Sequence, residues 1–187
     1  KWLEVRLAKH GIRPVNNIVD ISNYLMLEVG QPSHTFDYDK IVEKDPTFDG
    51  TAVITVRMAN GGEKIVTLDG QLRELYSDTV IIADSTNPIG IAGVMGGKDT
   101  EITQDTKRVI FQVENLDMYN VRKTAMKLGL ISDAVTRFSK GLDPNRTEAV
   151  LYKGMSMMQE IAGGNIASKV QDKYELPVKQ RSITISP

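Results

Sequence analysis

Cysteine is absent from this chain of 187 residues. That excludes a disulfide scaffold, a thiolate zinc site and a cysteine nucleophile, and it suits a reducing compartment such as the cytoplasm. Histidine is almost as scarce. His10 and His34 are the only two, too few for most histidine-based metal sites. No apolar run approaches the roughly 18 residues needed to cross a membrane, so no membrane partner is expected. No basic-then-apolar leader opens the chain. Charge of one sign is also lacking: 23 basic and 24 acidic side chains leave a formal net charge of −1. A surface that grips nucleic acid along its whole extent usually carries a strong basic excess, so that reading is disfavoured. No Ser-His-Asp, paired-carboxylate or metal-ligand spacing stands out. Lys1 is not a start methionine, and Pro187 ends a strand-like Ile183-Thr184-Ile185 run. We therefore expect a piece of a longer polypeptide.

What is present is an ordinary globular balance, 41% hydrophobic and 25% charged, in a length that fits one domain. Residues 2–9 read as a short helix ended by Gly11. Pro14 suits the first turn of a second helix, in which Ile18, Ile21, Leu25 and Val29 recur at three to four residues before Gly30. From 51 to 113 the pattern becomes strand-like. Ala52, Ile54 and Val56 alternate. Residues 65–68 run into Asp69-Gly70, a hairpin signal, and 72–75 return beside them. Residues 80–83, 89–95 and 109–111 are further short, β-branched runs. Helical spacing returns with Met118, Val121, Ala125 and Leu128 between Asp117 and Gly129. It returns again after Asp143-Pro144, where Ala149, Met155, Met158 and Ile161 are expected to point inward before Gly163-Gly164. Helices, a strand-rich middle, then helices predict an α+β fold: a central sheet or sandwich core flanked by N-terminal and C-terminal helices.

Four features carry candidate chemistry. His34, in the Gly- and Pro-containing stretch 30–37, is either presented to a cleft by a loop or bonded to nearby backbone. Gly90, Gly93, Gly96 and Gly97 match neither the phosphate-binding loop nor the dinucleotide fingerprint. They allow a ligand to lie against the backbone with amides free to donate, or else mark tight sheet packing. Gln112 and Glu114, two apart on a strand, share a face and either line a pocket or sit on a solvated edge. Residues 122–146 hold six basic side chains against two acidic ones, Asp133 and Asp143. A local basic surface of that kind suits the end of a polyanion; a solvated helix face explains it equally.

Several stretches together resemble one family: Gly11-Ile12-Arg13-Pro14-Val15-Asn16-Asn17-Ile18-Val19-Asp20, Asn23-Tyr24, Gly30-Gln31-Pro32-Ser33-His34-Thr35-Phe36-Asp37, Ile91-Ala92-Gly93-Val94-Met95-Gly96-Gly97, then Asp133-Ala134, Arg137-Phe138 and Gly141-Leu142-Asp143-Pro144. The chain resembles the editing domain of the bacterial phenylalanyl-tRNA synthetase beta chain. The resemblance implies a single editing-type domain over 1–176, with 177–187 leading into the next domain. It also implies an ester hydrolase that removes tyrosine wrongly attached to phenylalanine tRNA.

The residues carried over by this resemblance are Arg13 at the pocket mouth near the tRNA end, and Asn23 and His34 around the ester and amino group. Gly96 admits the substrate, and Ser132 and Ala134 form the pocket wall. His34 is the candidate for a direct catalytic role. The family has a glutamate for the tyrosine hydroxyl where this chain has Gln112. A neutral bond there is about half as strong as a charge-assisted one, so tyrosine selectivity turns on this position, and a large gain in hydrolysis on Gln112→Glu would show that the departure matters. Glu114 offers a carboxylate two residues on if it faces inward. The implied partners are the acceptor end of tRNA(Phe), the alpha subunit and the other beta-chain domains. No cofactor is expected in this domain, ATP and Mg belonging to the parent enzyme outside it. Two other readings stay open: a structural or tRNA-positioning module that has lost editing, and a binding domain for an aromatic amino acid.

Overall fold

The computed structural model describes residues 1–45, 49–174, 177–178 and 182–185. Helices α1 (Trp2–Lys9) and α2 (Asn17–Val29) come first. Strand β1 (Ser33–Asp37) and helix α3 (Tyr38–Glu43) follow. The middle holds β2 (Thr55–Met58), β3 (Lys64–Val66), β4 (Leu72–Glu74), β5 (Val80–Ala83), β6 (Pro88–Ile91), β7 (Met95–Gly96) and β8 (Val109–Val113). Helices α4 (Met118–Leu128), α5 (Asp133–Phe138) and α6 (Arg146–Ala162) complete the α+β fold. Its strands divide into three antiparallel sheets: β1-β8, β2-β5-β6-β7 and β3-β4.

The helix ends follow local chemistry. Asn16 is extended, and its side chain accepts from the Val19 N–H at 2.9 Å, satisfying one of the orphan donors of the first turn. Helix α2 therefore starts after Pro14, not around it. The intervening loop is braced by buried Asp20, whose Oδ1 accepts from the Val15 N–H at 2.8 Å. Asp117 caps α4 in the same way, accepting from the Asn120 N–H at 2.7 Å. Helix α6 likewise begins later than expected. Asp143 accepts from the Asn145 N–H in a preceding turn, and Asn145 takes the cap position. Ala149 is exposed; the inward stripe is Val150 and Gly154, with Met157, Met158 and Ile161 packed on the same cluster.

The strands depart from the sequence reading at three places. The alternation at 52–56 becomes a strand only from Thr55. Ala52 and Ile54 still pack on the core, but Val56 stays exposed because β2 is a sheet edge. The run 89–95 is a hairpin rather than one strand, reversing at Gly93 with φ 67°. Residues 33–37, read as a loop, form β1 because β8 supplies a ladder partner, with His34 opposite Gln112. The Asp69-Gly70 hairpin forms as expected, and Gly70 (φ 77°) takes the left-handed place in a three-residue loop. After Ala162 the described residues carry no helix or strand. Ile183 and Ile185 are exposed without a ladder partner, so the expected strand-like tail is not formed there. The expected boundary between 176 and 177 involves residues 175–176, which lie outside the described residues.

Three buried clusters hold these elements. The first joins β5 and β6 to α4 and α5 through Ile81, Ile91, Val121 and Phe138. The second packs α1, α2 and α6 through Leu7, Ile21, Leu25 and Val150. The third gathers Phe36, Ile41, Ile82, Ile89 and Ala92.

Candidate functional site

Where these clusters approach one another they leave a cavity of about 310 Å³, within the size range of small-molecule sites. Its walls come from the loop before α2, the middle of α2, β1, the tip of the β3-β4 hairpin, the β6-β7 hairpin, the end of β8 and the start of α5. The lining is mostly apolar, with Phe36, Ile82 and Phe138 among it, and polar groups enter from α2, β1, β8 and α5.

Seven of the eight residues singled out in the sequence meet in this cavity: Asn23, His34, Gly96, Gln112, Glu114, Ser132 and Ala134. Arg13 is exposed and does not line it; its neighbour Ile12 does. His34 and Gln112 are cross-strand partners, which turns both side chains to the same face. The His34 ring stands edge-on to Phe36, with centroids 4.5 Å apart. Its nitrogens have no hydrogen-bond partner among the described residues. Burial lowers its pKa to about 4, so the imidazole is neutral at physiological pH, able to accept at one nitrogen and donate at the other. The Asn23 amide is likewise unpartnered among the described residues.

Gly96 is required by close approach. A β-carbon there would stand 2.7 Å from His34 Nε2 and 3.3 Å from a Leu68 methyl. Ser132 plays a double part. Its hydroxyl donates to the Val94 carbonyl at 2.9 Å and accepts from the Val135 N–H at 3.1 Å, so it caps α5 and ties that helix to the β6-β7 turn. Glu114 is held on three sides. The Gln112 amide donates to its Oε2 at 3.0 Å, the Gly93 N–H donates to its carboxylate, and fully buried Gln31 donates to its main-chain carbonyl at 2.9 Å. Burial raises its pKa to about 7, the Gly93 bond opposing that rise.

Two expectations about charge and backbone need correction. The glycine run does not leave a row of free amides. The N–H groups of Gly93, Val94 and Gly97 go to Glu114, the Ile91 carbonyl and the Ile89 carbonyl. The basic segment 122–146 is partly neutralised, while Arg122 and Lys140 have no ion-pair partner among the described residues. Lys123 and Lys127 both bind Asp78, Arg137 binds Asp133, and Arg146 donates to the Val29 carbonyl. Among the described residues no cluster of three potential metal ligands occurs, and no helix is long and apolar enough to cross a membrane.

The sequence reading missed other lining residues. Ser33 and Phe36 line the cavity beside His34 because 33–37 is a strand. The exposed carboxylate Asp133 sits between Ser132 and Ala134 on the rim. Leu68 arrives from a hairpin tip with no local signal of its own.

An α+β domain with a polar-studded apolar pocket, closed by two strands distant in sequence, is the class this geometry defines. The comparisons make it particular. The chain belongs to the B3/4 domain family, whose model matches residues 1–163. It is 46% identical over 185 residues to the phenylalanine–tRNA ligase beta subunit of Carboxydothermus hydrogenoformans, covering 99% of this chain and 22% of that protein. It is 44% identical over 172 residues to the same subunit of Protochlamydia amoebophila (92% and 20%), and 40% identical over 185 residues to that of Bacillus cereus (99% and 22%). The chain thus spans about a fifth of the length of the curated relatives it matches.

Proposed function

We propose that this chain is the editing module of a phenylalanine–tRNA ligase beta subunit and hydrolyses tyrosine wrongly esterified to tRNA(Phe). The observation that carries the reading is the meeting of unpartnered His34 and Asn23 with a half-buried carboxylate in one apolar cavity. The physical need is clear. Tyrosine is phenylalanine plus a hydroxyl, and an apolar synthetic pocket rejects that addition only modestly. A second pocket with a buried polar group for the hydroxyl inverts the preference, because phenylalanine leaves that group unpaired.

The ester is already activated, so placement of a water is the main demand. Water adds to the ester carbonyl carbon, the bond to the ribose oxygen breaks, and the ribose takes up the proton. Free tyrosine and uncharged tRNA result. Neutral His34 accepts a hydrogen bond from the water or the terminal ribose hydroxyl, and Asn23 orients the ester. The Val94 and Gly97 N–H groups already have partners, so these side chains, the Gly96 N–H and the ribose carry the positioning. No cofactor enters this step; ATP and Mg serve aminoacylation elsewhere in the enzyme. The acceptor end of tRNA(Phe) approaches over the rim beside Arg13. The alpha subunit and the remaining beta-chain domains complete the cytoplasmic enzyme.

Deacylation of tyrosyl-tRNA(Phe) by the full-length ligase tests this reading. His34→Gln is expected to slow release of tyrosine about 100-fold, the scale of a lost positioning group, while aminoacylation with phenylalanine stays unchanged. Unaltered deacylation removes the role of His34; no deacylation by the unmodified enzyme removes the editing reading. The second reading, a domain that keeps the fold but has lost editing, is favoured by Gln112 standing where the family's glutamate is expected. The same assay decides between them.

A further inference from the structure

We propose that the tip of the β3-β4 hairpin is a nucleotide subsite at the mouth of the cavity: the Lys98 ammonium binds a backbone phosphate near the 3′ end of an RNA, and the apolar lip at Leu68 receives the terminal base. The inference rests on the editing reading for its substrate class, an RNA end esterified to an amino acid, and adds a second contact to the one at Arg13.

Leu68 belongs both to the cavity and to the surface. It lines the cavity, yet it is 43% exposed. A β-carbon placed on Gly96 would stand 3.3 Å from a Leu68 methyl and 2.7 Å from His34 Nε2. A ligand that leaves the His34 end of the cavity past Gly96 therefore runs onto Leu68. The apolar surface continues down the hairpin, where cross-strand partners Val66 and Leu72 are 37% and 64% exposed.

The tip is fixed against the cavity. The Leu68 N–H donates to the Gly96 carbonyl at 3.0 Å, Thr67 bridges to Gly97, and the Gly70 N–H donates to the Thr67 carbonyl at 2.8 Å.

Lys98 supplies the charge. It follows Gly96-Gly97 directly and is exposed. Its Nζ lies 4.0 Å from the β-carbon position of Gly70, two residues along from Leu68. It has no ion-pair or hydrogen-bond partner among the described residues. The neighbouring acids are already engaged. Asp69 accepts from Arg73 and from Thr67, each at 2.6 Å, and Asp99 pairs with Lys44 at 2.7 Å. An uncompensated cation beside an apolar lip suits a nucleotide, which is anionic at its phosphate and flat at its base. The whole chain carries a formal net charge of −1, so a placed cation at the mouth orients an RNA end without holding it tightly.

The test is fluorescence titration of the chain with a short single-stranded RNA of the acceptor-end sequence of tRNA(Phe), at several salt concentrations. The proteins compared are the unmodified chain, Lys98→Gln, Lys98→Arg, Leu68→Ala and Lys64→Gln, and thermal unfolding confirms that each is folded. Lys98→Gln is expected to weaken binding about 2- to 5-fold at low salt, the range of an exposed charge pair. It should also lower the slope of log affinity against log salt by about 0.7, the value for one phosphate on a single strand. Lys98→Arg should preserve both. Leu68→Ala should weaken binding and leave the slope unchanged, because no charge is lost. Lys64 is exposed at the opposite end of the same hairpin, so Lys64→Gln should change neither.

Four outcomes overturn the proposal: no RNA binding by the unmodified chain, an unchanged slope in Lys98→Gln, an equal change in Lys64→Gln, or full affinity in Leu68→Ala. The third would reduce the effect to net charge alone. The editing reading is judged separately. If the full-length ligase fails to deacylate tyrosyl-tRNA(Phe) while the titrations behave as expected, editing falls and the nucleotide subsite stands.

Discussion

Replacing Glu114 with glutamine should flatten the pH dependence of the chain's stability. The unfolded carboxyl titrates near 4.5, and burial raises the folded value to about 7. Between these values the folded state holds a proton that the unfolded state has released. The contribution of neutral Glu114 is therefore fully present below about pH 4.5 and is lost as pH rises through 7. At about 1.4 kcal/mol for each tenfold change, that interval is worth about 3 kcal/mol, or roughly 6–12 °C in Tm for a domain of this size.

Glutamine keeps the shape and carries no such loss. Urea unfolding of both proteins from pH 4 to 9 measures the effect, because groups common to both cancel in the difference. His34 and Asp133 also line the cavity. His34, with a pKa of about 4, stays neutral across nearly all of the window. The difference should grow in favour of the variant by about 3 kcal/mol, centred between pH 5 and 7. A difference that stays flat across that range refutes the picture of a desolvated, cavity-facing carboxylate.

Gly96→Ala should push His34 away from its place against Phe36, costing about 1–3 kcal/mol of stability and slowing tyrosyl-tRNA deacylation by roughly 100-fold; stability and rate both unchanged would contradict the close approach. Gly154→Ala drives a methyl into the edge of the Phe111 ring. The loss from overpacking, about 1–3 kcal/mol, should outweigh the roughly 1 kcal/mol gain in helix propensity, as denaturant midpoints would register. Asn16→Ala removes the cap of α2 and should cost about 1 kcal/mol, whereas Asn16→Asp should cost little. Comparing the two by thermal unfolding separates the cap from general loop disruption.

Much of the fold was legible because its signals are local. The spacing of Ile18, Ile21 and Leu25, the Asp117 and Gly129 ends of α4, and the Asp69-Gly70 hairpin each declare themselves within a dozen residues. What local pattern missed depends on distant partners. Residues 33–37 become a strand only because 109–113 lie beside them. The run 89–95 turns back on itself because Gly93 reverses it. The pairing of Gln112 with Glu114 was visible as a two-residue spacing, but not the direction of its chemistry: an amide holding a half-buried acid. The basic excess of 122–146 was legible as a count and only in part as a surface, since Asp78 comes from another part of the chain to bind two of its lysines. Proline was the least reliable marker. At 14 and at 144 it precedes the helix by two or more residues, because an asparagine takes the cap position in each case.

The β1-β8 ladder has one more consequence, for the order of events as the chain matures. Residues 34 and 112 can face each other only after the long excursion between them has closed, and such non-local contacts form late. A half-folded chain has no pocket, so no ligand can be held before the architecture is complete. Conversely, any small molecule that fills the pocket draws on the global folding equilibrium, and its arrival should register as a rise in the temperature at which the entire domain comes apart.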